Sequence, residues 1–129
     1  MLSLSKIHHI ALICSDYQKS KQFYTDFLGL QILQEVYREE RQSYKLDLAL
    51  NGVYVLELFS FANPPQRLSR PEATGLRHLA FEVNDIKDTH HLCLLEGVIA
   101  EEIRIDEYTN KFFFFISDPD GLPIEFYQI

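Results

Sequence analysis

The sequence has little of three things on which large classes of proteins depend: cysteine, basic residues and long apolar segments. Its two cysteines, Cys14 and Cys93, lie inside periodic apolar segments and have no partner at CxxC spacing. We therefore predict two reduced core residues rather than a disulfide framework or a redox motif. Lys and Arg number 12 against 19 Asp and Glu, a net charge of -7. This acidity argues against a nucleic-acid partner, because phosphate binding needs clustered basic residues.

No segment approaches the roughly 20 apolar residues that are needed to cross a bilayer, so we expect no membrane partner. The first residues, MLSLSKIHH, lack the apolar core of a secretory signal, and we expect a cytoplasmic protein. The 129 residues, of which 47% are hydrophobic, are enough for one compact domain with a substantial core. A single domain over residues 1–129 is therefore expected.

An internal repeat is the most informative feature that the sequence does contain. The phrase HIALICSD at residues 9–16 recurs as HLAFEVND at residues 78–85. Each copy is followed by a glutamate in an apolar run: Glu57 comes 48 residues after His9, and Glu125 comes 47 residues after His78. The offset between the copies is 69 residues at the histidines and 68 at the glutamates. The two halves therefore correspond position by position.

Each half is predicted to form a strand, a helix and three further strands. The first half has predicted strands at 7–14, 31–38, 43–50 and 53–60, with a helix from Asp16 to about Leu28. The second has strands at 76–84, about 98–105, 111–117 and 122–128, with a helix from Asp85 to Glu96. Residues 62–75 contain three prolines and predict a connector. The prediction is an α+β protein of two β-α-β-β-β modules, about 5–61 and 76–129.

Strand alternation places His9 and His78 on the concave faces of their modules, opposite the apolar faces that the helices should cover. Glu57 and Glu125 fall on the same concave faces, with Tyr54 and His8 expected to point the other way. A carboxylate within an apolar strand costs several kcal/mol unless it is paired or bound to a metal.

Imidazole nitrogens and carboxylate oxygens are ligands that divalent metals accept. A single histidine on a strand is more often a hydrogen-bonded core or rim residue than a ligand. Here, however, two histidines and two glutamates occupy matching positions in the two copies of the repeat. Four separate coincidences of this kind are improbable. We therefore predict that His9, Glu57, His78 and Glu125 bind one divalent metal ion per site.

The phrases HIALICSD, KSKQFYTDFLGL, LELF, GLRHLAFEVND and DPDGLPIEFY resemble the vicinal oxygen chelate superfamily, most closely its lactoylglutathione lyase (glyoxalase I) branch. The resemblance covers nearly the whole chain. It implies paired modules that form a partly open, eight-stranded, barrel-like site around a divalent metal, with His9, Glu57, His78 and Glu125 at the family's ligand positions. It also implies a homodimer, in which the site lies within one chain or is shared between two. Nickel, cobalt, zinc and manganese all stay open as the metal.

The function that we predict on this basis is a metal-dependent lyase or isomerase acting on a small oxygenated substrate. The metal would stabilise an enediolate while Glu125 acts as the base and Glu57 mainly holds the metal, although the two glutamates could exchange roles. The positions at which bacterial glyoxalase I contacts glutathione hold Ile13 and Phe61 here, which leaves glutathione use open.

Several polar residues are predicted to line the entrance and to hold an anionic group of the substrate. For any one of them, an ordinary role as a polar residue at a strand end is the simpler interpretation. The candidates are Arg38, Arg41, Lys45, Arg104, Tyr108 and Lys111.

Two other classes of function stay open. An extradiol-type Fe(II) dioxygenase needs open positions on a three-ligand site, whereas this chain offers four ligands and no second oxygenase-sized domain. A non-catalytic drug-binding protein resembling the bleomycin-resistance members would lack the metal ligands, which are all present here.

Overall fold

Two four-stranded mixed sheets, one in each half of the chain, form the framework of the protein. The computed structural model describes all residues, Met1–Ile129. The chain divides into two units, Met1–Gln66 and Arg67–Ile129, and the boundary between them lies within the predicted connector. We call these units module one and module two.

Module one contains four strands and one helix. Its elements are β1 (Ile10–Cys14), α1 (Tyr17–Gln22) continuing into a π-helical turn (Phe23–Phe27), β2 (Gln31–Arg38), a 3-10 turn (Glu39–Arg41), β3 (Ser43–Leu50) and β4 (Val53–Ser60). The strand order is β1-β4-β3-β2. β1 pairs with β4 in parallel, whereas the other two pairings are antiparallel.

Module two repeats this order. Its elements are β5 (Leu79–Val83), α2 (Ile86–Leu95), β6 (Arg104–Ile105), β7 (Phe112–Ser117) and β8 (Pro123–Gln128). The strand order is β5-β8-β7-β6, again with the first and last strands of the module paired in parallel. The predicted α+β class and the two β-α-β-β-β modules are therefore confirmed. Neither sheet closes into a barrel. The single domain over residues 1–129 stays a prediction.

One predicted strand is much shorter than expected. The segment 98–105 pairs with β7 only at Arg104 and Ile105, although the backbone N–H of Glu101 still donates to the carbonyl oxygen of Phe115. The segment therefore follows the edge of the sheet through isolated hydrogen bonds and forms a ladder only at its end.

The helices begin and end where the sequence predicts. Asp16 caps α1 by accepting a hydrogen bond from the backbone N–H of Lys19, and Asp85 caps α2 in the same way from Asp88, which satisfies N–H groups that the helix itself leaves free. α2 has 10 residues, and none of the helices is both long and apolar enough to span a membrane.

The apolar side chains that fill each module come from alternating strand positions that face the helix and from the helical segments themselves. In module one they include Tyr24, Leu46, Leu48 and Leu58, and in module two Cys93, Phe114 and Ile124, all essentially inaccessible to solvent. On β1, Cys14 is buried whereas Ile13 is exposed. This confirms that the face shared by Ala11 and Ile13 is the one the helix leaves uncovered.

A polar cluster fastens α1 to β2 and β3 of module one. The Tyr17 hydroxyl and the Lys21 ammonium both donate to Glu35 on β2, and the Tyr17 ring stacks on Tyr44 of β3 with the centroids 4.2 Å apart. Hydrogen bonds from Lys21 and Tyr17 hold the pKa of Glu35 below its usual value. Burial, followed by the bond to Glu35, raises the pKa of Tyr17.

Candidate metal centre

The parallel pairing of β1 with β4 brings the first histidine to the first glutamate. Ala11 is the register partner of Glu57, and His9 lies one residue before the first paired residue of β1. The Nε2 atom of His9 lies 3.8 Å from Oε1 of Glu57.

Module two produces the same pairing in the same register. Ala80 is the partner of Glu125 on β8, and Nε2 of His78 lies 3.1 Å from Oε2 of Glu125. The His78 ring meets Phe115 edge to face, with the centroids 5.2 Å apart. Its Nδ1 atom is buried and has no hydrogen-bond partner.

Each module thus contributes one imidazole nitrogen and one carboxylate. No group of three or more His, Cys, Asp or Glu side chains is arranged so that it could hold a metal ion. The structure therefore gives two matched pairs of donors, and the joint role of all four residues at one metal stays a prediction. The chemistry of the donors fits a divalent cation. The Nε2 atoms of His9 and His78 each face a carboxylate, and proteins commonly bind divalent metals with imidazole and carboxylate ligands.

A second carboxylate, which the sequence reasoning missed, lies beside Glu57. Asp47 of β3 is the direct register partner of Glu57, and these two are the only buried charged residues of the chain, each with 9% of its surface exposed. The signal was present in the sequence, because Asp47 interrupts the apolar run LDLAL of a predicted inner strand.

Lys45 bridges the two buried carboxylates. Its ammonium lies 2.5 Å from Oδ1 of Asp47 and 3.0 Å from Oε2 of Glu57. Burial alone would lower the pKa of Lys45, but its hydrogen bonds to Asp47 and Glu57 outweigh this effect and raise the pKa above the usual value. The ammonium thereby offsets the repulsion between two acids on neighbouring strands.

Tyr54 also joins this cluster, contrary to the prediction that it points away from Glu57. Its hydroxyl lies 2.9 Å from Oε2 of Glu57 and 3.0 Å from Oδ1 of Asp47. The register explains the difference: Leu48 pairs with Leu56, whereas Ala49 pairs with Tyr54, so the pairing passes over Val55. An extra residue of this kind inverts the alternation beyond it and brings Tyr54 to the side of Glu57.

The prediction for His8 was also wrong. Nδ1 of His8 lies 2.8 Å from Nδ1 of His9, and its ring meets Tyr54 edge to face at 5.1 Å. Strand alternation does not apply here, because β1 begins only at Ile10. The contact occupies the Nδ1 side of His9 and leaves Nε2 towards Glu57, an arrangement typical of an oriented ligand histidine.

The corresponding neighbours in module two are apolar. At the repeat offset of 68 residues, Phe113 stands in place of Lys45, Phe115 in place of Asp47 and Leu122 in place of Tyr54. The pair His78 and Glu125 therefore has no counterpart of these three polar side chains, and the ring of Phe115 lies against His78.

The predicted substrate-binding residues fall into two groups. Three have partners of their own: Lys45 lies in the cluster above, Arg38 stacks on Phe59 at 4.6 Å, and Arg104 stacks on Phe113 at 4.9 Å while also pairing with Glu101. The other three, Arg41, Tyr108 and Lys111, are exposed and make no side-chain contact with a histidine or glutamate of either pair. A role in substrate binding stays a prediction for all six.

Comparison with known proteins places the chain in a family. A sequence model of the Glyoxalase/Bleomycin resistance protein/Dioxygenase superfamily matches residues 6–126. The chain belongs to this superfamily, and the resemblance drawn from its motifs is confirmed.

Similar proteins occur in several bacteria. The chain is 58% identical to the uncharacterised protein YwkD of Bacillus subtilis over 97% of this chain and 98% of the relative. It is also 58% identical to the uncharacterised protein YaeR of Escherichia coli over 99% of both chains. The crystal structure of a glyoxalase family protein from Enterococcus faecalis is 43% identical and superimposes with a TM-score of 0.88, over 95% of this chain and 96% of that one.

Two more distant relatives have names that describe a reaction. A probable lactoylglutathione lyase of Vibrio parahaemolyticus is 29% identical over 98% of this chain and 93% of its own length. A mitochondrial methylmalonyl-CoA epimerase of Dictyostelium discoideum is 25% identical over 85% of this chain and 65% of its own length.

The cluster in module one predicts a specific loss of stability. Replacing Lys45 with Met should lower the free energy of unfolding of the metal-free protein by about 1.5–3 kcal/mol, the usual contribution of hydrogen bonds to charged groups. The reason is that Asp47 and Glu57 would then face each other without a cation. Urea denaturation in the presence of a chelator measures the difference.

Lys87 provides the matched control, since it is exposed on α2 and forms no ion pair. Replacing Lys87 with Met should change the stability by no more than about 0.5 kcal/mol. Equal losses in the two variants would contradict the role given to Lys45.

Proposed function

We propose that the protein is a divalent-metal-dependent lyase or isomerase of the glyoxalase I type, which moves a proton on a small oxygenated substrate. The observation that carries the proposal is the duplicated pair, with His9 beside Glu57 and His78 beside Glu125 at equivalent positions of two equivalent modules. The names of the two distant relatives, a lyase and an epimerase, describe reactions of this kind.

The proposed metal ligands are the four residues of the two pairs. A bound divalent cation would supply positive charge that stabilises the negative charge developing on the oxygens of the substrate. Two neutral imidazoles and two carboxylates suit nickel, cobalt, zinc or manganese. The proposal includes a homodimer in the cytoplasm, with the four donors coming from one chain or from two, and light scattering would measure that assembly.

Glu125 is the residue that we assign as the base. Among the side chains of the protein, its carboxylate contacts His78 and accepts no further hydrogen bond from a lysine or a tyrosine. Glu57 accepts hydrogen bonds from Lys45 and Tyr54 and is therefore the less available of the two. This asymmetry supports a catalytic role for Glu125 and mainly a holding role for Glu57.

The reaction begins when Glu125 removes a proton from a hydroxyl-bearing carbon next to a carbonyl group. The electron pair of the broken C–H bond forms a double bond to the carbonyl carbon, and the negative charge moves to the carbonyl oxygen. Glu125 then returns the proton to the former carbonyl carbon, while the hydroxyl proton of the first carbon moves to the charged oxygen and leaves a carbonyl group at the first carbon. The substrate is isomerised without an oxidant or a reductant. If the substrate is the adduct of a thiol and an aldehyde, the reaction is that of a glyoxalase-type lyase. If the substrate carries no thiol, the reaction is a simple isomerisation.

Metal binding tests the ligand set directly. Titration of the metal-free protein with Ni²⁺ in a calorimeter should show stoichiometric binding to the wild type. Replacing His9 or His78 with Ala should weaken Ni²⁺ binding by more than roughly 10- to 100-fold, which is the effect of losing a residue that only orients a metal ligand. The reason is that each substitution removes a donor from the same set.

His91 provides the control, since it is exposed on α2. Replacing it with Ala should leave Ni²⁺ affinity unchanged. The proposal of a site to which both modules contribute would be contradicted if the wild type did not bind Ni²⁺ stoichiometrically. It would also be contradicted if only one of the two histidine variants lost Ni²⁺ affinity.

Turnover tests the assignment of the base. Replacing Glu125 with Gln should reduce the rate about 10²- to 10⁴-fold, the usual contribution of a general base, because an amide cannot accept the proton. The assay is the formation of a lactoyl thioester from methylglyoxal with glutathione and a series of other thiols. Elemental analysis should show that the variant retains metal.

The matched substitution is Glu96→Gln at the end of α2, where the side chain is exposed and outside the proposed site. It should turn over at the rate of the wild type. A Glu125→Gln variant that stays fully active on any substrate that the wild type accepts would rule out this base.

A further inference from the structure

Tyr54 is the one side chain that contacts both members of the pair in module one. Its ring stacks on the His9 ring, with the centroids 5.0 Å apart and the planes inclined by 13°. Its hydroxyl lies 2.9 Å from Oε2 of Glu57. The same residue thus restrains an imidazole through its face and a carboxylate through its oxygen.

The contacts of Glu57 are divided between its two oxygens. Oε2 accepts from Lys45 at 3.0 Å and from Tyr54 at 2.9 Å. Oε1 has no such donor and lies towards Nε2 of His9 at 3.8 Å. The carboxylate is therefore fixed by one oxygen, and the other remains available to a ligand.

Asp47 completes the support. Its Oδ1 atom accepts from Lys45 and lies 3.0 Å from the Tyr54 hydroxyl, so Asp47 and Glu57 share the Lys45 ammonium and the single hydroxyl proton of Tyr54. Lys45, Asp47, Tyr54 and Glu57 consequently form a closed ring of polar contacts. A carboxylate in such a ring cannot rotate without breaking contacts to two partners, and this restricts the directions in which Oε1 can point.

His9 is restrained on two sides in a comparable way. The Tyr54 ring covers one face, and Nδ1 of His8 occupies the Nδ1 side of the ring at 2.8 Å. The ring is thereby oriented with Nε2 towards the free oxygen of Glu57.

Module two has no such support. Leu122 stands in place of Tyr54, and Nδ1 of His78 has no hydrogen-bond partner. The ring of polar contacts is thus found around the His–Glu pair of module one, whereas in module two the His78 ring meets the aromatic ring of Phe115. The backbone differs at this point as well, because Ala49 pairs with Tyr54 past Val55, whereas Ser117 pairs with Pro123 and no residue is passed over.

We infer that Tyr54 is a positioning residue, which holds His9 by its ring and Glu57 by its hydroxyl so that Nε2 and Oε1 form a prearranged pair of metal donors. The inference rests on the proposed function, because it requires that the pair binds a metal. It adds that module one supplies the rigid half of the ligand set. Glu125 of module two is then the carboxylate that transfers the proton.

Two substitutions at position 54 separate the contributions. Tyr54→Phe removes the hydroxyl and keeps the ring over His9, whereas Tyr54→Leu removes both and introduces the residue found at the equivalent position 122. Calorimetric titration with Ni²⁺ should show affinity lowered about 10- to 100-fold in Tyr54→Phe, the range for loss of a partner that orients a ligand. Tyr54→Leu should bind more weakly still.

Tyr17→Phe is the matched control, since it also removes a tyrosine hydroxyl that donates to a glutamate of module one but lies outside the cluster. It should bind Ni²⁺ as the wild type does. The visible absorption of the Co²⁺-loaded proteins gives a second readout, because ligand geometry determines these bands. Tyr54→Phe should show shifted bands, and Tyr17→Phe should not.

The outcomes distinguish the inference from the proposal beneath it. If the wild type binds Ni²⁺ stoichiometrically and Tyr54→Phe has the same Ni²⁺ affinity and the same Co²⁺ absorption bands, the positioning role of Tyr54 alone is overturned. An equal loss in Tyr54→Phe and Tyr17→Phe would overturn it as well, because the effect would then be general to the module. Absence of binding by the wild type would overturn the proposed function instead.

Discussion

The parallel pairing between the first and last strands of each module is the constraint on which the rest of the structure depends. It fixes Ala11 opposite Glu57 and Ala80 opposite Glu125, and so brings each histidine to a glutamate that lies nearly fifty residues away in the chain. Parallel strands require a long connection between them, and each module fills that connection with its helix and its two other strands. The pairing of distant side chains is therefore a direct result of the β-α-β-β-β order.

The two modules share this plan but differ in the side chains that surround their donor pairs. In module one, Lys45, Asp47 and Tyr54 surround Glu57 with charge and hydrogen bonds. In module two, Phe115 lies against His78, and Leu122 takes the place of the tyrosine. A low-polarity environment leaves a carboxylate with few competing partners, whereas a polar ring restrains it. The same pair of residue types thus lies among polar side chains in module one and beside an aromatic ring in module two.

Much of the framework and both donor pairs could be predicted from the sequence, because they follow from periodic patterns that the repeat presents twice. Asp16 and Asp85 cap helices as predicted, and seven of the eight strands lie close to their predicted ranges. The contacts around Glu57 could not be predicted, because the passed-over residue Val55 inverts the alternation at Tyr54. His8 was misplaced for a related reason: the alternation rule was applied to a residue that precedes its strand. The partners of Lys45 and the stacking of Arg104 on Phe113 depend on cross-strand neighbours, which local patterns do not specify.

The central claim is that the duplicated pairs supply the ligands of one metal ion. Crystals grown with Ni²⁺ and measured at the nickel absorption edge would locate the metal by its anomalous signal. The account predicts a single peak with His9, Glu57, His78 and Glu125 at coordinating distances of about 2.0–2.2 Å, as for other imidazole and carboxylate ligands. A peak bound to the pair of only one module, or to other residues, would contradict it.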